Sequence, residues 1–310
     1  MESPLPVRDG VNATRLRLPA SGPWETALDY MLHRWGHVDQ DGIKERFDRG
    51  EIVGEGGVRL DRTTPLDAHT FIWYYRTLPA EERLPVELDI LHQDENILVV
   101  DKPHFLPTTP GGTYIQESAL VRLRRLLDLP DLIPMHRLDR LTAGVLLFST
   151  NPDTRGKYQV LFEKRRVDKE YEAIAPVADG LEFPRTVRNR MTKSRTYLLA
   201  EVVAGEPNAE TSLELAGECR GLGRYRLLPV TGKTHQLRVH MASLGIGILH
   251  DPFYPVLLDK APDDFAKPLQ LLARGIRFTD PLTGRETEFR SRLELSEWIR
   301  ATEPEPALAG

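Results

Sequence analysis

Cysteine occurs once in 310 residues, at Cys219. A single thiol excludes an internal disulfide framework and suits a reducing cytoplasm, the compartment we expect. No apolar stretch approaches membrane-spanning length, and Met1 to Gly10 lacks the apolar core of a signal peptide. A basic surplus is missing too. The net charge is −5, so any surface that binds polyanions has to be local. Nucleotide and metal signatures are incomplete. Gly232-Lys233-Thr234 would need a glycine at 227 to form a phosphate loop, and Leu227 stands there. Gly221-Leu222-Gly223 lacks the third glycine of a dinucleotide fingerprint, because residue 226 is Arg226. His235 and His240 are five apart, which is not the spacing of a helical zinc pair, and no third ligand lies nearby. His136-Arg137 is out of step with a kinase catalytic loop, because the aspartate comes one residue late. We therefore expect no cofactor and no metal.

What is present fits one large or two modest globular domains, with 40% hydrophobic and 28% charged residues. Residues 1–90 hold 11 Lys/Arg against 16 Asp/Glu, a balance of −5, so the rest of the chain is near neutral. Pro23 to Trp35 has helical spacing, with Trp24, Ala27, Leu28, Met31, Leu32 and Trp35 on one face. A second short helix is expected over Gly42 to Asp48, closed at Gly50. Short strands follow near Ile52 to Leu60 and Phe71 to Tyr75, and Thr77 to Pro85 reads as a linker. Ile90–His92 and Ile97–Asp101 read as a hairpin. Ser118 begins a helix with Leu120, Leu123, Leu126 and Leu127 on its apolar face.

Gly144 to Ser149 is a short apolar run bounded by turn residues, which predicts a buried strand. Asn151-Pro152-Asp153 starts a helix. Lys169 to Ala175 alternates, with Tyr171, Ala173 and Ala175 on one face and Glu170 and Glu172 on the other. Pro184 to Arg195 carries five cations and no acid, as does Cys219 to His240. The first is expected as a loop or hairpin tip, and both are candidate phosphate contacts. Strands are expected near Tyr197–Val203, Thr211–Leu215 and Tyr225–Val230. A helix is expected from His235 to Leu244, capped by Thr234 and closed at Gly245. A last hairpin, Leu269–Phe278 with Arg285–Ser291, precedes a helix from Leu293 to about Arg300.

The stretch around which the chain is organised is Met135 to Thr150, a charged loop running straight into the buried strand. Rigid scaffolds present catalytic groups in this way. His136-Arg137-Leu138-Asp139-Arg140, then Thr142-Ala143-Gly144, closely resembles the signature of the RluA-type pseudouridine synthases. The chain departs from many members at Leu141, where they carry a second acid, and at Ala143, where they carry serine. Lys169-x-Tyr171-x-Ala173 matches that family's second motif. Thr231 to His240 nearly matches its third. Asp101-Lys102-Pro103 and the phrase Gly245 to Asp251 keep two further outlines with changed members. Together these cover roughly residues 88–299.

The resemblance implies an α+β catalytic domain over 86–300, with a central, mostly antiparallel bent sheet and a cleft across it. It implies that uridine in RNA is isomerised to pseudouridine, with no nucleotide cofactor. Asp139 takes the role of the essential carboxylate, Tyr171 that of the carbon-5 proton acceptor and stacking partner, and Arg238 that of the arginine paired with the aspartate. Arg137 is expected to fill the gap left by an extruded base. His136, Arg140, Lys233, Arg185, Arg188, Arg190, Lys193 and Arg195 are the expected RNA contacts. Residues 1–80 fit either a degenerate alpha-L RNA-binding domain or a plain structural prefix. Residues 301–310 are expected as a flexible tail and the protein as a monomer. The RNA is ribosomal RNA, tRNA or both, with a short stem-loop favoured because the acidic N-terminal region offers little extra RNA surface. Two other readings stand beside this one: a catalytically silent RNA-binding module on the same scaffold, and an unrelated cleft hydrolase using Asp139 and His136. The hydrolase needs a nucleophile or metal that the sequence does not supply.

Overall fold

The computed structural model describes residues 2–78, 80–194, 199–258 and 263–304. The chain divides into two compact units, residues 1–81 with 121–130 and residues 82–120 with 131–310.

In the first unit, β1 (Thr14–Arg17), α1 (Ala27–Asp48), β2 (Val53–Gly54) and β3 (Phe71–Tyr74) form a helix and a three-stranded antiparallel sheet of order β1-β3-β2. Thr26 caps α1 in a reciprocal box with Asp29, which satisfies two otherwise orphaned donors. The two helices expected here are one element kinked at Asp39, whose φ of −155° leaves the helical region. Asp39 then caps the second half by accepting from the Gly42 N–H at 3.0 Å. Met31, Ile43 and Phe47 bury against Ile52, Leu60 and Ile72.

α2 (Ala119–Leu127) ends within this same unit, where Arg124 donates to the Gly10 carbonyl and to Asn12 Oδ1, both at 3.1 Å.

The second unit is built on an eleven-stranded sheet. Its strands are β4 (Asp89–Gln93), β5 (Ile97–Lys102), β6 (Ile133–Pro134), β7 (Ala143–Ser149), β8 (Asp168–Pro176), β9 (Arg185–Lys193), β10 (Ala200–Val203), β11 (Ala209–Cys219), β12 (Leu222–Pro229), β13 (Leu271–Thr279) and β14 (Glu286–Arg290). The order is β10-β9-β11-β12-β8-β13-β7-β5-β4, with β14 on β13 and β6 on β7. Every pairing is antiparallel except β13 with β7. Helices α3 (Pro152–Glu163), α4 (Gln236–Ser243) and α5 (Ser296–Thr302) complete the unit. The helix α5 takes in Ala301 and Thr302, so those two residues belong to it and not to a tail; residues 305–310 lie outside the described residues.

All seven residues of β7 are buried, which explains its unbroken apolar run: a strand covered on both faces has no polar side to show. Gly144 sits at φ +112°, and a Cβ there would lie 2.2 Å from the Ala273 carbonyl oxygen. Only glycine lets β13 approach so closely.

Most of the stretch expected as a loop or hairpin tip is strand. Its residues 185–193 form β9, paired with β11 and β10. Val187, Asn189 and Met191 alternate with Thr186, Arg188 and Arg190, but charge at both parities hides the alternation from a reading of hydrophobicity.

Candidate active site

Cross-strand register sets the two faces of the sheet. Arg185, Leu213, Leu227, Tyr171 and Ala273 are partners along one row through β9, β11, β12, β8 and β13. Directly paired residues share a face. On that face Tyr171, Leu213 and Leu227 pack with Leu237 and Met241 of α4 and with Phe105 and Leu141. The opposite face holds the even-numbered members, Arg188, Glu210, Arg226 and Glu172.

The turn before β7 presents Asp139. Leu138 and Leu141 are buried on either side of it, and the Thr142 N–H donates to the Asp139 carbonyl at 3.0 Å. The loop after β5 holds this turn by its backbone. Thr108 Oγ1 donates to the Leu138 carbonyl at 2.8 Å and accepts from the Leu138 N–H at 3.1 Å. His104 Nδ1 lies 2.6 Å from the Leu141 carbonyl. The fully buried Lys102 Nζ donates to the carbonyls of Pro103, Leu106 and Arg140 at 2.9, 2.8 and 3.3 Å. Burial holds this ammonium down to about 7, against the pull of the Asp139 charge.

The Asp139 side chain is one-third exposed, so it is accessible from solvent while facing the buried Arg238 guanidinium. Its Oδ2 lies 3.8 Å from His235 Nε2 and 3.9 Å from Arg238 Nη1. Both partners come from the start of α4. Gln236 fixes that start: its Oε1 accepts from Thr231 Oγ1 and the Lys233 N–H, and its Nε2 donates to Thr211 Oγ1 and the Glu210 carbonyl. The N-cap is His235, in the left-handed conformation at φ +55°, and not Thr234.

Arg238 does face Asp139, as expected, in a long ion pair at 3.9 Å, but its principal partner is another acid. Arg238 is almost fully buried and gives its fork to Asp251, Nε to Oδ2 at 2.8 Å and Nη2 to Oδ1 at 2.5 Å. Asp139 receives only the outer edge of the guanidinium. The ring of Phe253 lies 4.8 Å and that of Tyr254 5.3 Å from the guanidinium carbon. Tyr171 is partly buried, and its hydroxyl makes no hydrogen bond to another described residue. Burial and then the Asp139 charge push its pKa well above the ordinary tyrosine range, so it is a phenol at neutral pH.

The expected RNA contacts separate. Arg137 is exposed and makes no ion pair among the described residues. Lys233 is exposed beside α4. Arg185 lies on the Tyr171 face, as does Lys193 by alternation, whereas Arg188 and Arg190 lie on the opposite one, and Arg188 pairs with Glu210 at 3.0 Å. Arg140 is held by Asp263 at 2.6 and 2.9 Å, with its guanidinium over Tyr114. His136 turns into the sheet. Its Nε2 accepts from the Leu147 N–H at 3.1 Å, and its ring stacks on Phe162 at 5.2 Å. Burial lowers it to about 3, so it is neutral and serves packing. Arg195 lies outside the described residues.

Two cations of the one-signed patch Cys219–His240 are neutralised by neighbouring strands. Arg226 pairs with Glu170 and Glu214 at 2.8 and 3.1 Å, and Arg224 with Glu172 at 2.7 Å. Among the described residues no three His, Cys, Asp or Glu side chains are grouped to hold a metal ion, and no helix is long and apolar enough to cross a membrane. Sequence reasoning assigned no role to Lys102, His235, Asp251 or Tyr254. For Asp251 a signal existed, since it closes the Gly245–Asp251 phrase.

Comparison with known proteins bears on the same segment. The profile of the RNA pseudouridylate synthase family matches residues 96–243, from the turn before β5 to the end of α4. Ribosomal large subunit pseudouridine synthase D of Vibrio vulnificus is 30% identical over 290 residues, covering 86% of this chain and 88% of that one. Dual-specificity RNA pseudouridine synthase RluA of Salmonella typhi is 33% identical over 213 residues, covering 66% of this chain and 92% of that one. The solved structure of human RNA Pseudouridylate Synthase Domain Containing 4 aligns with a TM-score of 0.52 at 25% identity, over 66% of this chain and 88% of that one. The Asp139 turn and the α4 arginine both lie within the matched residues 96–243, and the chain belongs to the RluA-type RNA pseudouridine synthases, isomerases of uridine in RNA.

Proposed function

We propose that Asp139 is the essential carboxylate of this isomerisation and that Tyr171 manages the carbon-5 proton. The observation that carries the reading is the setting of Asp139. A one-third exposed carboxylate lies 3.8 Å from the His235 imidazole and 3.9 Å from the Arg238 guanidinium at the start of α4, on a turn pinned by Lys102, His104 and Thr108. The bond from uracil nitrogen-1 to the sugar breaks and a bond from carbon-5 to the sugar forms. Carbon-5 loses a proton and nitrogen-1 gains one, so nothing is oxidised or reduced. Tyr171 starts as a phenol. It takes the carbon-5 proton only as its own hydroxyl proton passes on, the net transfer ending on nitrogen-1, and Asp139 is the carboxylate whose charge it feels.

The target base leaves its stack to reach the site. Arg137, exposed and unpaired among the described residues, fills the space it vacates. Arg185, Lys193 and Lys233 contact phosphates. The N-terminal unit, a kinked helix and a small sheet, fits a degenerate alpha-L RNA-binding domain in outline. The protein acts as a monomer in the cytoplasm on short stem-loops of tRNA or ribosomal RNA. The two relatives above support that range, one named for the large ribosomal subunit and the other for dual specificity. Tritium release from carbon-5-labelled tRNA and ribosomal transcripts, assayed separately, tests this. Release from at least one is expected. Tight binding without release from either would favour the silent RNA-binding module.

A further inference from the structure

Tyr254 Oη sits at the junction of three polar contacts. It lies 2.8 Å from the Ala200 N–H, which donates to it, 3.0 Å from His235 Nδ1 and 3.2 Å from the Ala200 carbonyl. The hydroxyl has one hydrogen to give. If it goes to Ala200, the imidazole must carry its own hydrogen on Nδ1 and turn a bare Nε2 lone pair toward Asp139. If it goes to His235 Nδ1, the shorter contact, the imidazole hydrogen is on Nε2 and faces Asp139 Oδ2 at 3.8 Å. A lone pair facing a carboxylate is repelled and an N–H is attracted, so the second arrangement is favoured.

The backbone supports the same aim. His235 occupies the left-handed region, uncommon for a residue with a side chain. That conformation, with the ring crossing Tyr254 at 77° and beside Phe253, points Nε2 at Asp139. Arg238 is committed to Asp251, so it does not supply a close hydrogen bond to Asp139. The charged and titratable groups facing the imidazole are Asp139, Arg238, Asp251 and Tyr254.

We propose that His235, its tautomer set by the Tyr254 hydroxyl, is a positioning residue that donates from Nε2 to one oxygen of Asp139 and leaves the other free to face the nucleoside. The inference rests on the reading of Asp139 as the essential carboxylate. The 3.8 Å separation is longer than a hydrogen bond, and such contacts often tighten when substrate closes the site.

The test compares the native chain with Tyr254→Phe, His235→Asn and Asp139→Asn. Single-turnover tritium release at saturating RNA is read near pH 5 and near pH 8, with RNA affinity and melting curves alongside. Tyr254→Phe keeps RNA affinity but slows the saturating rate about tenfold near pH 8. Most of that loss returns toward pH 5, because burial holds the imidazole below its usual range and only at the lower pH does it gain the second proton that restores an Nε2 hydrogen. His235→Asn, which tolerates the left-handed backbone, is slow at both pH values and reads the contact without altering Tyr254. A native rate and native pH profile in folded Tyr254→Phe, or a native rate in His235→Asn, overturns the inference while an inactive Asp139→Asn leaves the Asp139 reading standing. A native rate in Asp139→Asn overturns both.

Discussion

Arg238 and Asp251 form a bidentate pair, 2.8 and 2.5 Å between heavy atoms, with both side chains almost wholly inaccessible to solvent. The cation expected beside Asp139 is thus already neutralised, and it presents Asp139 with a rigid dipolar edge at 3.9 Å. Removing one partner leaves the other charge buried. Arg238→Met should cost about 3–5 kcal/mol of stability in denaturant titrations and lower activity as well. Arg238→Met combined with Asp251→Leu should regain most of the stability and none of the activity. Full stability in the single variant would contradict the pairing.

Three histidines are depressed, the partly buried His104 to about 4 and His136 to about 3, and the buried His240 to about 4. Burial is the leading cause in each. Near pH 5 the folded protein keeps them neutral while the unfolded chain, with histidines near 6.5, takes up protons. Stability is therefore fully present above about pH 6.5 and is lost as pH falls toward 4, by about 1.4 kcal/mol per pH unit for each group. Denaturant midpoints at a series of pH values measure this. A flat profile from pH 7 to 5 would show that the rings titrate in the folded state.

Arg185 and Arg188 are close in sequence and lie on opposite faces of β9, with Arg188 tied to Glu210. Arg185→Ala should reduce the slope of log affinity against log salt by about 1, the signature of one lost phosphate contact. Arg188→Ala should leave it unchanged. Equal effects would mean that RNA is bound without regard to face.

Tyr171→Phe keeps the ring and removes the hydroxyl that no other described residue binds. RNA affinity should hold within about twofold while tritium release falls by about two orders of magnitude or more. A parallel loss of both would reassign Tyr171 to binding alone.

Much of the site's framework was legible in the chain. The unbroken apolar run of β7, the Asn151-Pro152-Asp153 helix start, and the alternation that puts Tyr171 opposite Glu170 and Glu172 are local signals, and local signals survive folding. The turn that carries Asp139 was legible because its motif is contiguous. What escaped is non-local. Asp251 lies thirteen residues from Arg238, and nothing in the helix pattern of α4 tells that its arginine is already taken. The acids that neutralise Arg224 and Arg226 belong to β8 and β11, so a patch of one sign in sequence is mixed in space. His136 reads as part of a charged loop, yet its ring is needed to satisfy the Leu147 N–H. The kink at Asp39 joined two helices because one side chain caps from inside the run.

The most direct measurement of the central claim is tritium release from carbon-5-labelled uridine RNA, with no cofactor added, by the native chain and by Asp139→Asn. Asp139 is partly exposed and its Oδ2 accepts no hydrogen bond within 3.5 Å from a described residue, so the variant should fold and bind RNA normally. The account predicts release by the native protein and none by Asp139→Asn. Equal release by the two proteins would contradict it.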